Sequence, residues 1–307
     1  MTAWTEADIP RLDGRTAVVT GANSGLGFET TRALAAQGAR VILACRNLAK
    51  AETAAAAIRG RVAGAKLEIL PLDLANLASI KAFADTIIGR GERLDLLINN
   101  AGVMAVPLAR TVDGFETQMG ANHLGHFALT GRLLDALTPT ARVVSVSSIL
   151  HKSSKGLDLA DLNWKTRPYQ PWPAYHDSKL ANLLFTFELA RRAKMAGRTF
   201  IAAAAHPGFS DTNLQFVAAE IKQSRIEAGV MRIVNAVLAQ KADKGALPTL
   251  YAATAPGVAS GDFIGPDGFK ELWGSPVKVK SAPLAREEGA ARELWALSEE
   301  LTAISYL

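Results

Sequence analysis

The sequence predicts an α/β fold with a single doubly wound parallel β-sheet flanked by helices on both faces. Short apolar, β-branched segments alternate with longer amphipathic segments along most of the chain, as in proteins built from parallel strands and crossover helices. A glycine-rich turn joins the first strand to the first helix, and short polar motifs follow several later strands. Ligands of such sheets bind at the carboxyl ends of the strands, so we expect one site there.

The first predicted strand, residues 15–20, is an apolar run with two adjacent valines, and the first helix covers residues 28–37. Similar apolar runs predict further strands over residues 40–44, 66–70, 94–98, 142–146, 200–205 and 262–265. Amphipathic periodicity predicts helices over residues 48–58, 77–88, 115–137, 245–253 and 283–301, and a further helix that ends near Met195. Residues 150–173 form a longer connection, and residues 209–241 are expected to be helical and mobile. No repeat or low-complexity linker interrupts the 307 residues, so one domain spanning residues 1–307 is expected.

Composition excludes several classes of protein. A hydrophobic content of 49% and a charged content of 21% exclude a disordered chain. The net charge of +5 comes without a dense Lys/Arg block, so no nucleic acid partner is expected. Cys45 is the only cysteine, which excludes an internal disulfide, and no apolar run is long enough to span a bilayer. Residues 1–10 lack the apolar core of a signal peptide, so we expect a cytoplasmic protein.

The turn after the first strand has the pattern that cradles a dinucleotide. Gly21 permits a tight turn, Gly25 lets the backbone approach a pyrophosphate, and Gly27 allows close packing of helix on strand. A helix N-terminus follows and favours an anion. The predicted binding residues of this turn are Gly21, Asn23, Ser24, Gly25, Leu26 and Gly27.

Arg46 indicates which dinucleotide is preferred. An acid at the end of the second strand would accept hydrogen bonds from the 2′-hydroxyl of NAD, but residues 44–46 contain none. An arginine there suits the 2′-phosphate of NADP. NADP is therefore the expected cofactor, with NAD possible, because Asn23 and Ser24 add no second basic group.

Tyr175 and Lys179 lie four residues apart on a predicted helix, so their side chains share one face. A lysine cation near a phenol favours the phenolate, and we therefore expect a lowered Tyr175 pKa and proton exchange with an alcohol or carbonyl oxygen. No nucleophile–histidine–acid set is evident, which disfavours a hydrolase. His123 and His126 lack nearby cysteine or acidic ligands, so no metal is expected.

These motifs, in this order, resemble the short-chain dehydrogenase/reductase family, and in particular its branch of retinol dehydrogenases, WW-domain oxidoreductase and protochlorophyllide reductase. The resemblance covers nearly the whole chain and implies a Rossmann-type fold. It is carried by seven motifs: Thr20–Gly27 (TGANSGLG), Ala44–Arg46 (ACR), Asn99–Gly102 (NNAG), Asn122–Phe127 (NHLGHF), Val146–Ser148 (VSS), Tyr175-x-x-x-Lys179 and His206–Gly208 (HPG).

The resemblance implies a cofactor-binding half over about residues 14–150 and a catalytic half over about residues 151–307. It implies hydride transfer between a nicotinamide and a hydrophobic alcohol, aldehyde or ketone, with Tyr175 as general acid/base. Ser148 would orient the substrate oxygen, Lys179 would bind the ribose, and Asn122 would hold a water of the proton relay. Further cofactor contacts are expected from Asp73, Leu74, Asn99, Ala101, Gly102, Tyr175, Lys179, Pro207, Gly208 and Thr212. Residues 214–237 would form a substrate lid.

Other functions stay open at this stage. A catalytically silent NADP(H)-binding sensor or scaffold could use the same fold, although it would have no need for an intact Ser148, Tyr175, Lys179 and Asn122. Sugar epimerases usually carry a different glycine spacing and a larger C-terminal region. Light-driven protochlorophyllide reduction is disfavoured because Cys45, the only cysteine, lies in the cofactor half. The substrate, the reaction direction and the choice between monomer, homodimer and homotetramer are not determined.

Overall fold

The computed structural model describes residues 3–209 and 240–307 of the chain. Its centre is an eight-stranded sheet with the strand order β3-β2-β1-β4-β5-β6-β7-β8. The strands are β1 (Thr16–Thr20), β2 (Arg40–Cys45), β3 (Lys66–Pro71), β4 (Leu94–Asn99), β5 (Leu137–Val146), β6 (Ile201–Ala205), β7 (Phe263–Pro266) and β8 (Pro276–Lys278). Neighbouring strands from β3 to β7 are parallel, and the order reverses at β1, which is the doubly wound arrangement that the sequence predicts.

Helices cover both faces of this sheet. They are α1 (Gly25–Ala36), α2 (Leu48–Arg61), α3 (Leu77–Gly89), α4 (Thr117–Met119, Gly120–Leu124 and Gly125–Leu133 in continuous succession), α5 (Pro171–Met195), α6 (Ala242–Thr254) and α7 (Glu288–Thr302). Helices α1, α2 and α6 share one buried apolar cluster with the sheet, and α3, α4, α5 and α7 share another on the opposite face. In the described part of the chain, no helix has the length and apolar character needed to cross a bilayer.

The last strand departs from the predicted all-parallel sheet. β8 pairs antiparallel with β7, Gly265 lying opposite Val277. Only residues 267–275 connect the two strands, whereas a parallel crossover needs a dozen or more residues. The short connection therefore forces the reversal.

The predicted helix over residues 115–137 and the fifth strand also have different boundaries in the structure. Helix α4 passes into a 3₁₀ turn over Leu134–Ala136, and β5 starts at once, at Leu137. The pairing of β5 with β4 then shifts, from Leu94 opposite Leu137 to Leu96 opposite Arg142. Proline is tolerated at such an irregularity, so Pro139 lies within the strand and not beyond its start.

Helix α1 begins at Gly25, three residues before the predicted start. Two of the three glycines of the turn therefore belong to the first turn of the helix. The predicted C-terminal helix is divided, because a 3₁₀ turn over Pro283–Arg286 and an extended Glu287 precede α7. The predicted mobile helix falls almost entirely on residues 210–239, outside the described residues.

Candidate active site

A cavity of about 580 Å³ lies at the carboxyl ends of β1 to β6. The loops that follow these strands meet there, so residues distant in sequence share its wall. Sixteen of the predicted site residues line it: Gly21, Asn23, Ser24, Gly25, Leu26, Gly27, Arg46, Asp73, Leu74, Ala101, Gly102, Ser148, Tyr175, Lys179, Pro207 and Gly208. Asn99 and Asn122 do not line it, and Thr212 and the predicted lid lie outside the described residues.

The glycine turn forms a close backbone cradle. Gly21 has a φ of +65°, a conformation that other residues rarely adopt. A Cβ at Gly27 would lie 2.3 Å from the Gly21 carbonyl oxygen and 2.6 Å from Nδ2 of Asn100. The N-cap of α1, Ser24, makes no side-chain capping bond to the first turn of the helix. These features fit the pyrophosphate of a dinucleotide, which accepts hydrogen bonds from helix N-terminal amides.

The end of β2 provides two cations at the cavity wall. Arg46 and Lys50 are both exposed and both line the cavity. Asn47 caps α2 by accepting a hydrogen bond from the Lys50 N–H at 2.9 Å, which places Lys50 in the first turn of the helix. The prediction looked for a second basic group only in the glycine turn, so it did not include Lys50. Lys50 could have been identified from the sequence, because it lies four residues after Arg46 at the start of the predicted helix.

Asp73 follows β3 and forms a turn of its own. Its Oδ1 accepts the Ala75 N–H at 3.0 Å, and its own N–H donates to Ser79 Oγ at 2.9 Å. The carboxylate thus stabilises the loop before α3 while the residue also lines the cavity, together with Leu74. Asp73 can therefore stabilise this loop and contact a bound cofactor at the same time.

Asn100, and not Asn99, lines the cavity after β4. Asn99 is buried, and its Nδ2 donates to Thr130 Oγ1 of α4 at 3.0 Å. Nδ2 of Asn100 donates to the Thr20 carbonyl at 2.7 Å, which ties this loop to the glycine turn. Successive strand residues point to opposite faces, so a one-residue difference changes the role.

Tyr175, Ser148 and Lys179 meet at one end of the cavity. The Ser148 side chain lies close enough to the Tyr175 hydroxyl to lower the pKa of Tyr175, and the Lys179 Nζ lies 5.7 Å from the centre of the Tyr175 ring. Ser148 also accepts the Leu150 N–H at 3.2 Å. The neighbouring Ser147 donates its hydroxyl to the Lys179 carbonyl at 2.8 Å and therefore fixes the helix. The contact with Tyr175 agrees with the choice of Ser148.

The pKa of Tyr175 shifts in the direction opposite to the expectation. Burial raises the pKa of Tyr175 to about 12, and the nearby Ser148 side chain offsets only part of this rise. Burial also lowers the pKa of Lys179 to about 8. Both side chains are almost completely buried, so the loss of hydration of each charged form dominates over their mutual attraction.

Asn122 lies behind this cluster, in the π-helical turn Gly120–Leu124 of α4. Its Nδ2 donates to the Val103 carbonyl and to Ser178 Oγ, each at 2.9 Å, and its Oδ1 accepts the Val103 N–H at 2.8 Å. A Cβ on Gly102 would lie 2.9 Å from this Oδ1 and 3.5 Å from the Lys179 Nζ. Asn122 therefore supports the cavity wall next to Lys179, and π-turns of this kind often occur at functional sites.

The loop after β6 forms another wall. Gly208 has a φ of +67°, and a Cβ there would lie 2.4 Å from the Leu272 carbonyl oxygen. His206 supports the loop from beneath: its Nδ1 accepts the Gly208 N–H at 3.2 Å, and its Nε2 donates to Glu271 at 3.0 Å. The cavity is also lined by apolar side chains that the sequence analysis did not assign to the site: Val103, Met104, Ile149, Leu150, Trp172 and Leu272.

The buried Lys179 lowers the stability of the fold at neutral pH. Its folded pKa of about 8 lies below the ordinary value of 10.5, so between these values the unfolded state binds more protons and stability rises with pH. We expect Lys179→Met to increase the free energy of unfolding at pH 7 by roughly 2 kcal/mol, since one pKa unit corresponds to about 1.4 kcal/mol. The Val146 carbonyl keeps a donor, because Asn182 Nδ2 also binds it at 3.1 Å.

Urea unfolding of both proteins at pH 7 and pH 10 would measure this difference. The gain should shrink as the pH rises from about 8 through 10.5, because the lysine is neutral in both states only above that range. A variant that is less stable than the wild type at pH 7 would show that the ammonium is stabilised by its surroundings.

The fold and the site define a dinucleotide-binding protein with a buried tyrosine–lysine pair, and the comparisons with known proteins agree. The sequence model described as short chain dehydrogenase matches residues 15–159. Human retinol dehydrogenase 13 is 42% identical over 297 residues, which cover 95% of this chain and 86% of that protein. Human retinol dehydrogenase 12 is 40% identical over 300 residues, which cover 96% and 89%.

Among solved structures, an uncharacterized protein from Mycobacterium paratuberculosis superposes with a TM-score of 0.83 at 46% identity, over 100% of both chains. The chain therefore belongs to the short-chain dehydrogenase/reductase family, in the branch of the retinol dehydrogenases. It is an NAD(P)-dependent oxidoreductase that acts on CH–OH groups.

Proposed function

We propose that the protein interconverts a hydrophobic alcohol and its aldehyde or ketone with NADP(H), with Tyr175 as general acid/base. One observation carries this proposal. A single cavity is lined by the glycine cradle, by the cations Arg46 and Lys50, by Tyr175, Ser148 and Lys179, and by several apolar side chains. The one sheet that carries both halves of the site supports the expectation of a single domain.

NADPH, when bound, would supply the hydride. The chain's own residues supply position and protons. With its pKa raised to about 12, Tyr175 holds its proton at neutral pH and is suited to donate it to the oxygen of a carbonyl that is being reduced. Ser148, which lies next to the Tyr175 hydroxyl, would donate to that oxygen as charge develops on it. Lys179, with a pKa of about 8, can return a proton to this region at neutral pH.

The polarity of the wall supports an apolar substrate. Trp172 lies one turn before Tyr175 on α5, its ring edge-on to the tyrosine with centroids 6.4 Å apart. Met104, Ile149, Leu150 and Leu272 line the same cavity and add apolar surface to its wall. Such a wall favours binding of a lipophilic carbonyl compound and excludes water.

The proposed function is tested by following nicotinamide absorbance with NADPH and with NADH. Lipophilic aldehydes and ketones, retinal among them because of the relatives' names, would be offered in one direction and matching alcohols in the other. Turnover that favours NADPH and rises with substrate apolarity is the expected result. Tight NADPH binding without any turnover would favour the sensor or scaffold alternative. Location in the cytoplasm stays a prediction, and the oligomeric state has to be measured separately.

Arg46 and Lys50 should decide the preference for NADP. We expect Arg46→Asp to weaken NADPH binding by about tenfold to a hundredfold, because a charge-assisted hydrogen bond contributes about 1.5–3 kcal/mol. NADH binding should be unchanged or improve, since an aspartate can accept a hydrogen bond from the 2′-hydroxyl. Lys50→Glu should shift the preference in the same direction to a smaller extent.

The measurement is titration of cofactor fluorescence with each variant. Lys194→Glu, an exposed charge reversal in the last turn of α5, is the matched control and should leave both affinities unchanged. Equal losses for NADPH and NADH in Arg46→Asp would mean that the arginine does not recognise the 2′-phosphate.

A further inference from the structure

A buried histidine behind the cavity connects two parts of its wall. We propose that His126 is a positioning residue: its imidazole joins the main-chain carbonyl of Asn122 to the hydroxyl of Thr20, and through that hydroxyl to the backbone N–H groups of Asn100 and Ala101. This inference rests on the proposed function, because it assigns His126 a task in the same site. His126 itself does not line the cavity, so its task would be to position other groups and not to contact substrate or cofactor.

The hydrogen-bond partners determine which ring nitrogen carries the proton. The His126 Nδ1 lies 2.9 Å from the Asn122 carbonyl oxygen, which can only accept, so Nδ1 is the protonated nitrogen. Burial, together with the nearby Lys179 cation, lowers the pKa of His126 to about 4, so the ring is neutral at pH 7. Its Nε2 is then an acceptor, and the Thr20 hydroxyl at 3.0 Å is the donor.

The Thr20 hydroxyl makes the second half of the connection. Thr20 ends β1, directly before the glycine turn, and is completely buried. Its oxygen accepts the N–H groups of Asn100 and Ala101, each at 2.9 Å. Its single proton goes to the His126 Nε2 at 3.0 Å, because the alternative acceptor, the Ile98 carbonyl, is farther away at 3.3 Å. The two amides that open the loop after β4 are therefore held through the orientation of one imidazole.

The hydrogen bond from His126 to the Asn122 carbonyl stabilises the π-turn. His126 lies four residues after Asn122, so its ring reaches back along α4 to a carbonyl within the wider turn. That bond fixes the Asn122 peptide, and the Asn122 side chain in turn holds Val103 and Ser178 beside Lys179. One neutral ring therefore aligns the cofactor-side loop and the proton-relay side of the cavity.

His123 does not share this role. Its Nε2 donates to Ser298 Oγ of α7 at 2.9 Å, because that hydroxyl gives its own proton to the Leu294 carbonyl. The two histidines thus bind different partners, and within residues 3–209 and 240–307 no three His, Cys, Asp or Glu side chains are grouped as a metal site. The arrangement of His126 is explained by hydrogen bonding alone.

The test combines paired variants at both ends of the connection. His126→Phe keeps an aromatic ring at this position and removes both hydrogen bonds. His126→Asn keeps an N–H donor that can reach the Asn122 carbonyl, four residues earlier. We expect His126→Phe to lower kcat by about tenfold or more and to weaken NADPH binding several-fold, because small displacements of a reacting site are costly. His126→Asn should recover most of kcat. Thr20→Val should weaken NADPH binding, and Thr20→Ser should not.

A double-mutant cycle and a spectrum of the wild-type protein complete the test. If His126 and Thr20 act through one chain of bonds, the losses in His126→Phe/Thr20→Val will be much smaller than the sum of the single losses. The ¹⁵N NMR spectrum should show His126 neutral and protonated at Nδ1. Protonation at Nε2, additive losses, or wild-type kcat in a folded His126→Phe variant would each overturn the proposal.

These results are distinguishable from failure of the proposed function. If the wild-type protein turns over no carbonyl or alcohol, the proposed function fails, while NADPH affinity and the tautomer still report on the connection. If the His126→Phe variant does not fold, the proposal is tested by the NADPH affinities of the Thr20→Val and Thr20→Ser variants and by the ¹⁵N NMR spectrum of the wild-type protein. The kinetic readout uses the intact chain with NADPH.

Discussion

Replacement of Tyr175 by phenylalanine is expected to lower kcat by about a hundredfold to ten-thousandfold, the range of a lost general acid/base. The change removes one oxygen and leaves the buried ring, its contact with Trp172 and the apolar wall in place. NADPH binding should change little, because the glycine cradle and Arg46 lie elsewhere in the cavity. Steady-state rates from nicotinamide absorbance, together with a separate NADPH titration, would measure both quantities.

Tyr306→Phe is the matched control. Its hydroxyl is also buried and donates to the Phe127 carbonyl at 3.1 Å, but Tyr306 packs against the far side of α4 and does not line the cavity. Loss of this bond should cost about 1 kcal/mol of stability and leave kcat unchanged. If Tyr175→Phe kept more than about a tenth of the wild-type kcat, another group would have to supply the proton.

Replacement of Gly27 by alanine should have the second largest effect. The added Cβ would lie 2.3 Å from the Gly21 carbonyl oxygen, a backbone atom that cannot move without opening the turn. We expect a loss of about 2–3 kcal/mol in the free energy of unfolding, typical of overpacking at a close contact. NADPH affinity should fall by about tenfold or more, because the same turn would hold the pyrophosphate.

Gly60→Ala provides the comparison, because Gly60 is also a helical glycine but a Cβ there would meet nothing within 4 Å. That substitution should stabilise the protein by about 0.5–1 kcal/mol through helix propensity. Urea unfolding and NADPH titration of both variants separate steric from propensity effects. Wild-type NADPH affinity in Gly27→Ala would show that the turn relaxes without cost and does not form the cradle.

Local patterns in the chain were sufficient to predict much of this architecture. The apolar runs of β1 and β2, the glycine turn and the helix that carries Tyr175 and Lys179 each depend on neighbours a few residues away, and the structure has each of them. The parallel, doubly wound order then follows from their alternation. For the same reason the predicted residues at strand ends, such as Gly25, Ser148 and Gly208, come together in one cavity.

The two departures in the sheet have separate causes. β8, a three-residue strand that the sequence analysis did not predict, is antiparallel because of the short connection from β7, and β5 starts early because its pairing with β4 is irregular. Sequence periodicity reports the faces of an element but not the partner beside it, so the register of β5 could not be predicted.

Within the site, the sequence by itself determined which kinds of residue are present: a phenol, an ammonium, a hydroxyl, a glycine turn and an arginine without an acidic neighbour. Only the tertiary structure decided that Asn100 replaces Asn99 at the cavity, that Lys50 joins Arg46, and that burial raises the Tyr175 pKa. It also decided that His126 faces Thr20. Side-chain hydration and hydrogen-bond partners depend on atoms from distant parts of the chain, which meet only when the sheet and helices pack together.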